Sequence, residues 1–468
     1  MTAGELTALS ISDAGRLLAH GELTAAELTE AYLARIAATE PDLNAYVTVT
    51  VETARAAASA ADALRASGRP VGPLCGIPLG LKDLYDVAGV PTSAGSPLLA
   101  GQRAGADSTV AARLRAAGAV LLGKQSTHEF AWGGTTNNPH FGPTRNPHDH
   151  ARIPGGSSGG SAASVVAGSC AGAFGTDTCG SVRIPAALSG CVGFKPTYGR
   201  ISLHRVVPLA YSLDHGGPLA RTVRDAALLY AAVAGFDAAD ARTLPLAVGD
   251  VLRGLGDGVA GLRVGRLRGW FEAVLDPSVR GALDDAATAL RDGGALLSDV
   301  VPAGRDAPVD EVFTVVAADA VPWHWAHFGR DASGYSAALA ALLAAGPPTS
   351  EALAVARETL ADRTGELVAA LREVDVLLCA TVAAPAPLIG VEQVVVDGHE
   401  LPVEWLLTRL TSVFDAARLP ALSVPFGTSR DGLPIGVQLV GRHLDEATVL
   451  RAGRHLELST EAIAQQAR

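Results

Sequence analysis

Three side chains in this 468-residue chain combine a possible nucleophile with a possible base. Ser157 lies in a glycine-rich loop at residues 155–160 (GGSSGG), and Ser181 lies in a second loop that reads GTDTCGS. Glycine at such density allows tight turns and close approach of the backbone to a ligand. A serine there can attack a carbonyl carbon once a base takes its proton. The backbone N–H groups beside it can face the oxyanion that forms. The third residue, Lys82, sits in GIPLGLKDLYDV among Leu79, Leu81 and Leu84. Burial among apolar residues disfavours the ammonium form and lowers its pKa, so such a lysine can act as a general base near neutral pH.

Three chemistries fit parts of this pattern. A phosphate loop of the Walker type ends in Gly-Lys-Ser/Thr, and GGSSGGSA has no lysine, so that reading is set aside. A nucleophile elbow matches G-x-S-x-G at residues 155–159 and would make Ser157 the nucleophile, with His204, His215 or His443 as base. An elbow follows directly on a buried strand. The preceding NPHDHARIP is polar and bracketed by prolines, which weakens the match. The third chemistry is acyl transfer by serine with a lysine base.

The elements that must position these residues follow from the patterning. Residues 10–68 read as helical, with Thr24 as an N-cap before AAELTEAYLARI and a second helix over 51–66. Short apolar segments at GIPLGLKDLYDV, AVLLGK, VDVLLCATV and ALSVPFG read as buried strands. They alternate with helical stretches at 108–117, 222–234 and from Glu446 onward, the pattern of an α/β fold. Residues 302–387 are Ala-rich and helical, broken at Gly346-Pro347-Pro348, and concentrate Phe313, Trp323, Trp325, Phe328 and Tyr335. The organisation expected is a single domain over residues 1–468: N-terminal helices to 66, a core over 67–300, a variable helical segment over 300–400 and a closing core segment over 401–468.

Composition narrows the class. The chain is 48% hydrophobic and 18% charged, which suits a well-buried globular protein rather than a disordered one. A net charge of −11 carries no electrostatic footprint for nucleic acid. Cys75, Cys170, Cys179, Cys191 and Cys379 are scattered without CxxC spacing, which predicts reduced thiols and no zinc site. No apolar run reaches 18 residues and the N-terminus lacks a basic n-region, so a cytoplasmic protein without a membrane span is expected.

With these residues in view, the chain resembles the amidase signature family of serine hydrolases. The resemblance is carried by GIPLGLKDLYDVAGVPTSAGS around Lys82, FGPTRNPHDHARIPGGSSGGSAA around Ser157, GTDTCGSVRIPAALSGCVGFKPTYGRIS around Ser181, and DGLPIGVQLVGRHLDEATVL near the C-terminus. It extends over about residues 10–465 and weakens between 300 and 400. It implies a mixed, mostly parallel central sheet flanked by helices on both faces. It also implies a Ser–cis-Ser–Lys triad with Ser181 as nucleophile, Ser157 as relay and Lys82 as base. The oxyanion hole would be the backbone N–H groups of Thr178, Cys179, Gly180 and Ser181. Ser158, Thr176, Asp177 and Arg183 would be supporting residues, the last two as a buried ion pair. The family pattern has glycine where this chain has Cys179, whose side chain either narrows the site or simply packs.

Phe130 and Trp132 correspond to a loop bordering substrate, and Trp323 and Trp325 fall in the variable segment where specificity is built; core packing is the competing role for these rings. The reaction implied is hydrolysis of a carboxamide or related C–N acyl bond, without metal or cofactor. The substrate expected is small and apolar or aromatic, and the protein is expected to be a monomer or homodimer without nucleic-acid or membrane partners. Two alternatives stand beside this: a carbamate, urethane or ester hydrolase using the same triad, and the glutaminase subunit of a tRNA-dependent amidotransferase.

Overall fold

The computed structural model describes residues 1–331 and 333–466. Eleven strands form one sheet: β1 (Tyr46–Val49), β2 (Pro78–Lys82), β3 (Val120–Gln125), β4 (Gly172–Asp177), β5 (Val192–Lys195), β6 (His215–Ala220), β7 (Arg263–Leu267), β8 (Leu296–Val300), β9 (Val376–Ala380), β10 (Ala421–Thr428) and β11 (Pro434–Gly441). Their spatial order is β1-β3-β2-β4-β6-β5-β10-β11-β9-β7-β8. Parallel pairing joins β3, β2 and β4 in one wing and β9, β7 and β8 in the other. The strands between the wings pair antiparallel. The expected mixed α/β sheet is therefore the fold of this chain.

Helices cover the sheet from two sides. Those used below are α1 (Ala25–Leu43), α2 (Val51–Ala66), α3 (Gly159–Val166), α4 (Arg183–Ser189), α5 (Val309–Phe328), α6 (Ala337–Ala345), α7 (Ser350–Glu373), α8 (Ser412–Ala416) and α9 (Glu446–Gln466). Ala187 of α4 packs on Gly436 of β11, whereas Gly453 of α9 packs on Leu422. Leu422 pairs with Leu439, three residues along β11 from Gly436, and so lies on the opposite face of the sheet. Strands β2, β3 and β4 are buried along their whole length, as continuous apolar runs between covered faces must be.

Local signals set the element ends. Thr24 caps α1 as expected: its hydroxyl accepts from Glu27 N and the Glu27 side chain returns to Thr24 N. The reading of 10–68 as helical is corrected at Tyr46–Val49, which pairs antiparallel with β3 at the sheet edge. The sequence YVTV is aromatic and β-branched, so strand preference wins there between two helices. The Ala-rich segment forms α5, α6 and α7, broken at Gly346-Pro347-Pro348, with Thr349 capping α7. These helices supply about half of a second apolar cluster, separate from the main core, that also holds Leu84, Phe130 and Cys179. Among the described residues no single helix is long and apolar enough to cross a membrane.

Candidate active site

The site forms where β2 and β4 end side by side. Leu81 pairs with Phe174 in a parallel register, so Lys82 at the end of β2 and Asp177 at the end of β4 emerge at the same edge. That edge is where open α/β sheets carry their reactive groups. The loop leading into α3 brings Ser157 against Lys82, with a cis Gly156–Ser157 peptide bond. Ser158 N donates to Ser181 O at 3.3 Å, which joins this loop to the one between β4 and α4.

Lys82 is fully buried and Nζ donates to Ser157 Oγ and to Thr176 Oγ1, each at 2.8 Å. Burial pulls its ammonium down to about 7, against the weaker opposing pull of Asp214 and Asp177. It therefore changes charge near neutral pH. Ser158 and Thr176 are braces: Ser158 Oγ donates to Thr176 O at 3.2 Å, and Thr176 takes one Lys82 N–H. Ser181 is 7% exposed, the most open of the three serines, and its hydroxyl has no hydrogen-bond partner among the described residues. It is thus the serine free to meet an incoming carbonyl. Nucleophile–base contacts are often slack before substrate arrives.

The loop before Ser181 is organised by Asp177. Its carboxylate accepts from Gly180 N at 2.7 Å, Val182 N at 3.1 Å and Arg183 N at 3.3 Å. The expected oxyanion set is corrected at Gly180, because its N–H is already spent on Asp177. The N–H groups of Thr178, Cys179 and Ser181 carry no acceptor among the described residues and stay available. Thr178 Oγ1 donates to Asp214 Oδ1 at 2.7 Å, and burial pushes the Asp214 carboxyl up to about 6.

The expected Asp177–Arg183 pair is present and fully buried, with Arg183 Nη2 at 2.9 Å from Asp177 Oδ1. Sequence reasoning missed its third member, Asp415 in α8, 2.6 Å from the same nitrogen. The only sequence signal was an isolated acid between apolar runs in VFDAARLPALSV. Burial works to raise the Asp177 carboxyl, but the Arg183 guanidinium prevails and holds it well below the carboxylate range. Arg183→Ala leaves the Asp177 carboxylate buried without its guanidinium partner and should cost about 3–5 kcal/mol of folding stability. Denaturant unfolding measures this; a loss below about 1 kcal/mol is inconsistent with a buried Asp177–Arg183–Asp415 cluster.

Cys179 has a negative φ, and its buried side chain belongs to the second apolar cluster. Burial pushes its thiol pKa well up, so it presents an apolar surface rather than a thiolate. Phe130 is corrected as a substrate-contact residue. It is fully buried, adopts φ 47°, and is ringed by Trp323, His324, Phe328 and Tyr335 at centroid distances of 4.6–6.1 Å. It therefore packs inside this aromatic cluster. Trp132 and Trp323 are half-buried against the same cluster and retain exposed surface. Trp323 also lines a groove of about 740 Å³ with His327, Tyr211 and Arg205, and neither Ser157 nor Ser181 is on its lining. Trp325 is absent from the ring around Phe130: it packs near Gly346 and carries the Arg330 guanidinium 4.1 Å above it.

The elbow alternative finds no support in this geometry. Ser157 bonds to Lys82, while His215 Nδ1 faces Leu213 O at 2.6 Å and His443 Nε2 faces Ala417 O at 2.9 Å.

Comparison with known proteins extends the picture beyond the site. The Amidase family model matches residues 27–450. A glutamyl-tRNA(Gln) amidotransferase subunit from Chloroflexus aggregans is 41% identical, over 96% of each chain. A solved structure from a vestigial protein complex bearing on the evolutionary origins of an s-triazine catabolic enzyme superposes with a TM-score of 0.91 at 37% identity, covering 96% of this chain and 98% of that one. A bacterial aryl acylamidase superposes with a TM-score of 0.89 at 27% identity, covering 97% and 96%. These findings correct the expectation of a monomer or homodimer that acts alone on a small amide without nucleic-acid involvement. A relative matched almost end to end is named as one component of an amidotransferase, after a tRNA-borne substrate. Lys82, the two serine loops and the sheet that aligns them are thus set in a chain that belongs to the amidase signature family, enzymes that act on C–N amide bonds.

Proposed function

We propose that this chain is the amide-hydrolysing subunit of an amidotransferase-type assembly, taking ammonia from a primary carboxamide of the glutamine class. The observation that carries this reading is the 41% identity, over 96% of both chains, to a glutamyl-tRNA(Gln) amidotransferase subunit. The partner is then a second polypeptide that uses the ammonia, and the setting is the cytoplasm.

The chemistry follows from the groups present. Neutral Lys82 accepts the Ser157 proton as Ser157 Oγ takes the Ser181 proton, and Ser181 Oγ attacks the carbonyl carbon. The N–H groups of Thr178, Cys179 and Ser181 stabilise the oxyanion. The tetrahedral intermediate collapses by breaking the C–N bond, and the relayed proton leaves with the nitrogen as ammonia. Water then repeats the attack on the acyl-enzyme, with the same relay as base.

A second reading rests on a specific observation. Cys179, two residues before Ser181, shares an apolar cluster with Trp132 and Trp323, and one structural relative is an aryl acylamidase. This favours an apolar or aryl amide, with carbamates, urethanes and esters open to the same acyl-enzyme step. A panel of glutamine, anilides, carbamates and esters separates the two, read as kcat/KM ratios with and without co-expressed candidate partners. The amidotransferase reading predicts glutamine turnover that rises when a partner co-purifies. Anilide turnover at least about a hundredfold above glutamine, unaffected by any partner, overturns it.

A further inference from the structure

The peptide unit between Cys179 and Gly180 is held at both ends. Its N–H, on Gly180, donates to Asp177 Oδ1 at 2.7 Å. Its C=O, on Cys179, accepts from Thr411 Oγ1 at 2.6 Å. The alternative acceptor of that hydroxyl, Thr408 O, is more distant at 3.2 Å. Thr411 is fully buried and fills the space beside Gly180, where a Cβ would collide with its hydroxyl; Gly180 φ is 122°, a value open to glycine. Arg183 Nη1 donates to the Thr411 carbonyl at 3.2 Å, so the clamp is itself braced by the buried Asp177–Arg183–Asp415 cluster. Thr411 comes from a distant part of the chain, next to α8, which packs against α5 and α7 of the variable segment.

We infer that Thr411 is the positioning residue for the oxyanion hole. The free N–H groups of Cys179 and Ser181 flank the clamped peptide, so its orientation sets where both of them aim. Asp177 alone fixes one end of the plane and leaves it free to tilt. Thr411 removes that freedom through its hydroxyl, not through its bulk. The inference rests on the proposed role of Ser181 and deepens it.

The test uses the full-length protein and a fluorophosphonate, whose reaction needs no knowledge of the natural substrate. Ser181 Oγ bonds to phosphorus, the P–F bond breaks and fluoride leaves, and the serine proton passes to Ser157 and Lys82. The phosphoryl oxygen occupies the oxyanion position during this step. Thr411→Val keeps the side-chain volume and removes the hydroxyl. The expected result is a maximal labelling rate lowered about ten- to a hundredfold, less than or comparable to the loss of one direct oxyanion donor, with the concentration for half-maximal rate within about twofold. Thr411→Ser should restore the rate to within about threefold, which a purely packing role does not predict. Unchanged labelling by folded Thr411→Val, or no rescue by serine, overturns the inference. If Thr411→Val fails to fold, the comparison of Thr411→Ser with Thr411→Ala decides: equal rates overturn it, and faster labelling by serine supports it. Ser181→Ala serves as the control, and labelling that survives there defeats the role of Ser181 itself.

Discussion

Ser181→Ala should reduce amide turnover by about ten-thousand- to a millionfold while leaving folding intact. The residue is small, only 7% exposed and makes no side-chain hydrogen bond among the described residues, so its loss removes chemistry without breaking a network. The attack on the carbonyl has no substitute, because Ser157 is fully buried and its hydroxyl is already held by Lys82 at 2.8 Å. What remains after the mutation is the residual rate that binding and the oxyanion donors give to water. Steady-state turnover of any substrate from the panel measures this. A loss below about tenfold, accompanied by an inactive Ser157→Ala, points instead to the elbow assignment.

Lys82→Met should lower kcat by about a hundred- to ten-thousandfold, the range that a positioned acid–base group supplies. Methionine keeps the apolar length of the side chain and removes the nitrogen that reaches Ser157 and Thr176. The wild-type pH profile tests the same group. Burial brings Lys82 to about 7, so the neutral, proton-accepting form dominates above that pH and the ammonium below it. The rate should therefore fall about tenfold per unit as pH drops below about 7. Lys82→Met should remove that acid limb together with the activity. A wild-type profile flat down to pH 5 contradicts a lysine base.

The fold and the reactive residues were legible in the sequence to different depths. Strands β2, β3 and β4 stood out because both faces are buried, which leaves continuous apolar runs. The nearness of Lys82 to Ser157 followed from the resemblance and not from any periodicity, since the 74 residues between them are closed up only by the tertiary fold. β1 was hidden by the helices on either side of it, α1 and α2. The Gly180 N–H was misassigned because composition does not say which side of a peptide plane faces Asp177. Asp415 and Thr411 were missed for a related reason. Each acts across more than 220 residues of sequence through tertiary packing, and neither sits in a motif that marks its role. The aromatic residues were visible as types, but the left-handed backbone at Phe130 that turns its ring into the cluster was not.

Ser181, not Ser157, should be the residue that becomes covalently acylated. Fluorophosphonate labelling of the wild-type protein, followed by peptide mapping of the adduct, tests it most directly. One adduct per chain is expected, located on Ser181, and none in Ser181→Ala. An adduct on Ser157, or stoichiometric labelling that persists in Ser181→Ala, contradicts it.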